Sequence, residues 1–125
     1  MMWKILVLTL TGTAALADVN GIPQAIYDHT LNRFFAEKIA ATCPEFTFDK
    51  ARADTDGKLI EASVGMDAKT FADLVNKFPT DRLAADVAAM YAERKMVVTN
   101  SKSYCAAGRN EVAAGSAIGS YLKAK

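Results

Sequence analysis

The stretch SYCAAGRNEVAAGSAIGSYLK, residues 103–123, holds one of the chain's two cysteines together with Gly108, Gly115, Gly119 and a run of alanines. Its period is helical. At about 100° per residue, Cys105, Gly108, Val112, Gly115, Gly119 and Leu122 fall on one stripe, and Arg109, Ser116, Ser120 and Lys123 on a second, polar one. A glycine inside a helix costs about 1 kcal/mol relative to alanine, so three on one face require an offsetting gain. Close approach of a neighbouring helix backbone supplies one, and Gly115 and Gly119 have the four-residue spacing that permits it. The expectation is one closing helix packed through Gly108, Gly115 and Gly119, with a homodimer seam on that face as the alternative. Arg109 and Glu111, near its start, are the candidate interaction residues, set against the commoner reading of a solvated helix flank.

The other end of the chain says where Cys105 goes. MMWKILVLTLTGTAALA, residues 1–17, has the form of a secretory signal: Lys4 gives a positive start, Ile5–Leu10 is a short apolar run, and Ala15-Leu16-Ala17 precedes the cut. The run is shorter than the roughly 20 residues a bilayer requires, and no later segment approaches that length. The expected mature chain is residues 18–125, a single helical domain in the periplasm. Losing Lys4 reduces the 15 basic side chains by one and leaves them equal to the 14 acidic ones. That balance argues against nucleic acid or an anionic membrane as the main partner.

Cys43 and Cys105 are the only cysteines, 62 residues apart, and export takes them to an oxidising compartment. A redox-active pair takes the C-x-x-C form, and zinc demands more ligands than two cysteines and His29 supply. A structural disulfide is therefore expected. The chain-entropy argument assigns such a loop about 4 kcal/mol as an upper figure.

Between these ends the spacing predicts helices, and the whole an all-α bundle of about five of them. The first covers about Pro23–Thr42, with Leu31, Phe35 and Ile39 on one line and Cys43 next; Pro44 stops it. The second covers about Phe48–Val64, with a break near Gly57 left open by the weak helix formers Asp54, Thr55 and Asp56. The third covers about Ala68–Phe78, capped by Asp67 and burying Phe71, Leu74, Val75 and Phe78. The fourth covers about Asp81–Val97, with Arg94 and Lys95 in its last turn. Ser101 or Ser103 caps the fifth. The fragment EFTF, residues 45–48, alternates like a strand but is too short to be read as one.

Candidate chemistry is sparse. His29 beside Asp28 reads as a surface histidine. Asp54 and Asp56 resemble the opening of a calcium loop, but its twelfth position falls on Gly65 where an acid is required. AAGSAIG has the composition of a phosphate loop without the strand before it or the lysine. Met66, Met90 and Met96 read as core filler. No catalytic, cofactor-binding or metal-ligating residue is assigned.

The residues Tyr104-Cys105, Gly108-Arg109, Gly115-Ser116-Ala117-Ile118-Gly119, Leu122 and Lys123 resemble the C-terminal signature of a family of small exported alphaproteobacterial proteins, a domain of unknown function. TCPEF and GMDAKTFADLV are similar to the family as well. The resemblance implies export, a helical fold and a disulfide, and no activity. The reading that follows is a periplasmic, monomeric, non-enzymatic domain that needs no cofactor and binds a protein or envelope component. A stress chaperone, or a small carboxylate-using enzyme or enzyme inhibitor, is the alternative.

Overall fold

The computed structural model describes residues 18–19 and 21–125; the expected signal, residues 1–17, lies outside them. The order is β1 (Asp18–Val19), β2 (Ile22–Pro23), α1 (Gln24–Thr42), β3 (Phe46–Phe48), α2 (Lys50–Ser63), α3 (Ala68–Val75), α4 (Thr80–Glu93), α5 (Ser101–Ala114), α6 (Ala117–Ser120) and β4 (Leu122–Ala124). The fold is mostly helical and compact, with two small antiparallel ribbons, β1–β2 and β3–β4.

Helix α1 is the axis. Ile26, Tyr27, Leu31, Phe35, Ala36 and Ile39 are buried along one face, the stripe that four-residue spacing requires. The Cys43 N–H donates to the Ile39 carbonyl at 2.7 Å, and Pro44 prevents another turn. Two apolar clusters form on this helix. Its C-terminal half joins Phe46, Tyr104, Ala107, Ile118, Tyr121 and Leu122. Its N-terminal half joins Val19 and Ile22 and is overlaid by partly buried side chains of α3 and α4.

Helix α2 is unbroken at Gly57. Asp49 caps it, accepting from the Arg52 N–H at 3.1 Å. Lys50 donates to Asp54 at 2.6 Å, and Arg52 lies 3.5 Å from Asp56. These one-turn pairs, with the packing of buried Ala53, offset the poor helix propensity of the Asp54–Gly57 run.

Asp67 caps α3, as expected, by accepting from the Thr70 N–H at 2.8 Å. The helix ends at Val75, short of Phe78, since Pro79 drives the residue before it out of helical geometry. Helix α4 also stops early, at Glu93. Arg94 is its C-terminal flank, Lys95 takes a left-handed φ of 56°, and Met96 turns into the core. Asn100 caps α5 in place of Ser101 or Ser103, accepting from the Lys102 N–H at 3.1 Å. The Ser103 hydroxyl instead accepts from the Val97 N–H at 2.9 Å.

The single closing helix is corrected most. Gly115 has φ 67°, left-handed, and ends α5; glycine adopts that conformation without steric cost. Ser116 starts α6 by accepting from the Gly119 N–H at 3.0 Å. The chain thereby folds back so that Gly119 lies against the Glu111–Val112 backbone, where a Cβ would collide. Leu122 continues into β4, which pairs with β3 in the register Phe46↔Ala124, Thr47↔Lys123 and Phe48↔Leu122. Phe46–Phe48 of EFTF is thus a strand after all. Its partner lies 76 residues away in sequence and cannot be found by local pattern.

Cys43 and Cys105 form the expected disulfide, with Cα atoms 5.2 Å apart. It fastens the end of α1 to the first turns of α5, beside the point where Gly108 meets the Phe46 ring and Ile39. A Cβ on Gly108 would stand 2.7 Å from the ring.

Candidate functional site

Among the described residues, two surface hollows of contrasting chemistry stand out, one polar and one apolar. The polar cleft, about 420 Å³, lies between α1 and α2. His29, Thr30 and Arg33 line it from one turn of α1. Asp54, Gly57, Lys58 and Glu61 line it from one face of α2, and Phe71 contributes from α3. A helical repeat of three to four residues brings each set to one side.

The Arg33 guanidinium donates to Asp54 at 2.5 Å and to Glu37 at 3.2 Å, and sits 5.5 Å from the Phe48 ring centroid. Hydrogen bonds from Lys50 and Arg33 hold the Asp54 carboxyl down at about 2. Burial works against the charge on Arg33, but Asp54 and Glu37 outweigh it and its pKa is raised.

The Tyr121 hydroxyl donates to Asp56 at 2.9 Å and lies 3.3 Å from His29 Nδ1. Its proton is committed to Asp56, so the contact with His29 is a hydrogen bond when Nδ1 carries the imidazole proton. Burial and then the hydrogen bond to Asp56 push Tyr121 up to about 12. Burial and the nearby Arg33 charge lower the pKa of His29, with Asp56 and the Ala53 backbone opposing. Gly57 lets α2 pass close to the ring: a Cβ there would stand 3.1 Å from Nε2.

Chemically, the cleft offers a neutral imidazole, two cations and two acids. The Thr30 hydroxyl is bonded to the Ile26 carbonyl at 2.9 Å, and Tyr121 stays protonated, so neither is an activated nucleophile. His29 is therefore a half-buried member of a polar network and not the surface histidine expected beside Asp28.

The apolar feature is an open groove of about 670 Å³ along α4. Ala84, Val87, Ala88 and Tyr91 line it from the helix, and Met96, Val97 and Val98 from the segment after it. The Asn100 N–H donates to the Val97 carbonyl at 2.9 Å. This tight turn leaves Val97 52% and Val98 76% exposed. The Tyr91 hydroxyl shares a 3.0 Å hydrogen bond with Tyr104.

The candidate interaction residues Arg109 and Glu111 lie in neither feature. Arg109 donates to exposed Glu45 at 2.6 Å. Glu111 faces Arg94 at 3.4 Å and accepts from the Ser116 hydroxyl at 2.8 Å. The two therefore point to different partners: one joins α5 to the segment before β3, the other joins it to the end of α4. Cys43, Cys105 and Glu45 lie close enough to suggest a metal site, but both sulfurs are consumed by the disulfide.

A family model described as a family of unknown function, DUF5333, matches residues 15–123. The chain belongs to that family. No curated protein and no solved structure matches it.

The sequence reading missed the His29–Asp56–Tyr121 network and the Val98 groove. The first joins residues 65 and 92 positions apart and leaves no local trace. The second had a trace: Ala84 and Ala88, one turn apart, leave that face of α4 too small to fill a core.

Proposed function

We propose that residues 18–125 form a single exported domain, processed after Ala17, that acts in the periplasm as a monomeric, non-enzymatic binding module for a protein of the envelope. The observation that carries this reading is the apolar groove beside Val97 and Val98. Two adjacent branched side chains held in water by a tight turn, next to a small-residue helix face, are costly to leave uncovered and suit an apolar segment of a partner. The disulfide supports export, because such bonds persist in oxidising compartments. With Lys4 removed, the equal acidic and basic content of residues 18–125 supports a protein partner over nucleic acid. A hydrolytic role for the polar cleft has less support, because Asp54 is tied to Arg33 and Lys50 and the Thr30 hydroxyl is already bonded.

The test is a photo-crosslinking side chain placed at Val98 and, in a second protein, at Lys58 in the polar cleft, both expressed in the native envelope. Discrete adducts from position 98 and not from 58 are expected. Adducts from 58 alone, or from neither, overturn the reading. Export is checked on the same material: the periplasmic fraction is expected to yield a chain beginning at Asp18, and cytosolic protein retaining residues 1–17 refutes it.

A further inference from the structure

Residues 66–94, which carry α3 and α4, contribute no fully buried side chain among those described; the chain before and after them contributes every one. Phe71, Leu74, Phe78 and Leu83 lie half-buried over the cluster that contains Ile26, Tyr27 and Leu31. The covalent and strand ties of the fold bypass this segment. Cys43–Cys105 and β3–β4 join the chain before it directly to the chain after it.

Both ends of the segment are left-handed, at Gly65 with φ 70° and Lys95 with φ 56°. Among the described residues, its side-chain polar ties to the body come from α4 and from Arg94 just after it, while at the other end the Met66 N–H donates to the Glu61 carbonyl at 2.8 Å beside Gly65. The Tyr27 hydroxyl donates to Asp86 at 2.6 Å, Tyr91 meets Tyr104, and Arg94 faces Glu111. The last two sit next to Lys95, at the pivot. Among the described residues, α3 and the turn after it reach the body through apolar side-chain contact alone, with Phe71 at the His29 cleft and Phe78, past the helix end, stacked on Tyr27 at 5.9 Å between centroids.

We propose that residues 66–94 are a helical lid that opens as a unit about Gly65 and Lys95 while the disulfide-linked body stays folded, with the Tyr27–Asp86 hydrogen bond as its clasp. Opening uncovers Tyr27 and Leu31 and withdraws Phe71 from the cleft, so that the apolar face of α1 becomes continuous with the polar cleft beside His29. Units that bury little open at lower free energy than the whole fold. Here the two pivots are the element-terminal positions where a hinge absorbs backbone change. Among the described residues, Asp86 is the one charged acceptor holding the lid away from its pivot, with the Arg82 guanidinium 5.6 Å from the centroid of the same Tyr27 ring, so Asp86 sets the opening equilibrium.

The test compares two tyrosines of equal burial in the disulfide-bonded protein: Tyr27 under the lid, 1% exposed, and Tyr121 in the body, 2% exposed. Hydroxyl-radical footprinting is expected to modify Tyr27 about tenfold faster or more. Asp86→Ala, a change on a half-exposed residue, is expected to raise the Tyr27 rate about another tenfold, as loss of a charge-assisted hydrogen bond implies, and to leave Tyr121 unchanged. Asp86→Asn, which keeps an acceptor, is expected to have a smaller effect. Equal modification of Tyr27 and Tyr121 in the wild type overturns the lid, as does acceleration of both by Asp86→Ala.

Discussion

The Tyr121 hydroxyl donates to Asp56 at 2.9 Å and meets His29 Nδ1 at 3.3 Å, so the chain's last turn is bonded to α2 and α1 at once. Replacing Tyr121 by Phe retains the ring and removes both contacts. We expect a loss of about 1–2 kcal/mol in denaturant unfolding, mostly from leaving Asp56 and His29 under-bonded. An unchanged midpoint refutes a stabilising role for the network.

Alkali tests the same bond. Tyr121, Tyr27 and Tyr91 are each pushed up to about 12, first by burial and then by hydrogen bonds to Asp56, Asp86 and Tyr104. A folded pKa above the unfolded value of about 10 gives stability that is complete below pH 10 and is lost as pH rises from 10 towards 12. Absorbance titration should show tyrosine ionisation coinciding with unfolding in that window. Free ionisation near pH 10 with the fold intact contradicts the buried assignments.

His29 behaves oppositely. Its pKa is lowered, by burial and then Arg33, so the folded state resists the proton that the unfolded chain accepts near pH 6.5. Stability should be full above pH 6.5 and decline as pH falls below it. NMR titration of the single imidazole should give a midpoint below 6.5. A midpoint above it means that the Asp56 charge outweighs burial.

The closing glycines should separate by mechanism. Gly108→Ala places a Cβ 2.7 Å from the Phe46 ring and 2.9 Å from Ile39, an overpacking cost of about 1–3 kcal/mol. Gly115→Ala meets open space but a φ of 67°, for about 1 kcal/mol. Gly119→Ala meets the backbone of Glu111 and Val112, which yields less than a side chain, and should be the most damaging. Thermal unfolding of the three variants orders them. A benign Gly119→Ala removes the account of how α6 lies on α5.

Reduction tests the staple. With Cys43 and Cys105 replaced by Ala, we expect a loss within about 2–5 kcal/mol, and non-reducing peptide mapping of the wild type should recover the two cysteines linked. Separate peptides contradict the pairing.

Much of this architecture was legible in the linear order of residues. The stripe Leu31–Phe35–Ile39, the stop at Pro44, the Asp67 cap and the pairing of two lone cysteines rest on periodicity, backbone chemistry and compartment, and all act within a few residues or by elimination. The helical class and the disulfide followed from them. What the same order of residues could not yield is the fate of each local preference once a distant partner arrives. Asp54–Gly57 reads as a helix breaker, yet Lys50, Arg33 and the passage beside His29 keep it helical. Gly115 reads as a packing contact on a continuous helix, yet its freedom at positive φ turns the chain back so that Gly119 can touch α5. EFTF is too short for a strand until Leu122–Ala124 lies beside it. The sequence by itself determined the helical class, the course of α1 to its stop at Pro44 and what joins Cys43 to Cys105, because those depend on short-range sterics and covalent chemistry. Only the tertiary structure decided that His29, Asp56 and Tyr121 meet, and that Val98 stands uncovered beside α4, because those depend on the free energy of bringing distant residues together.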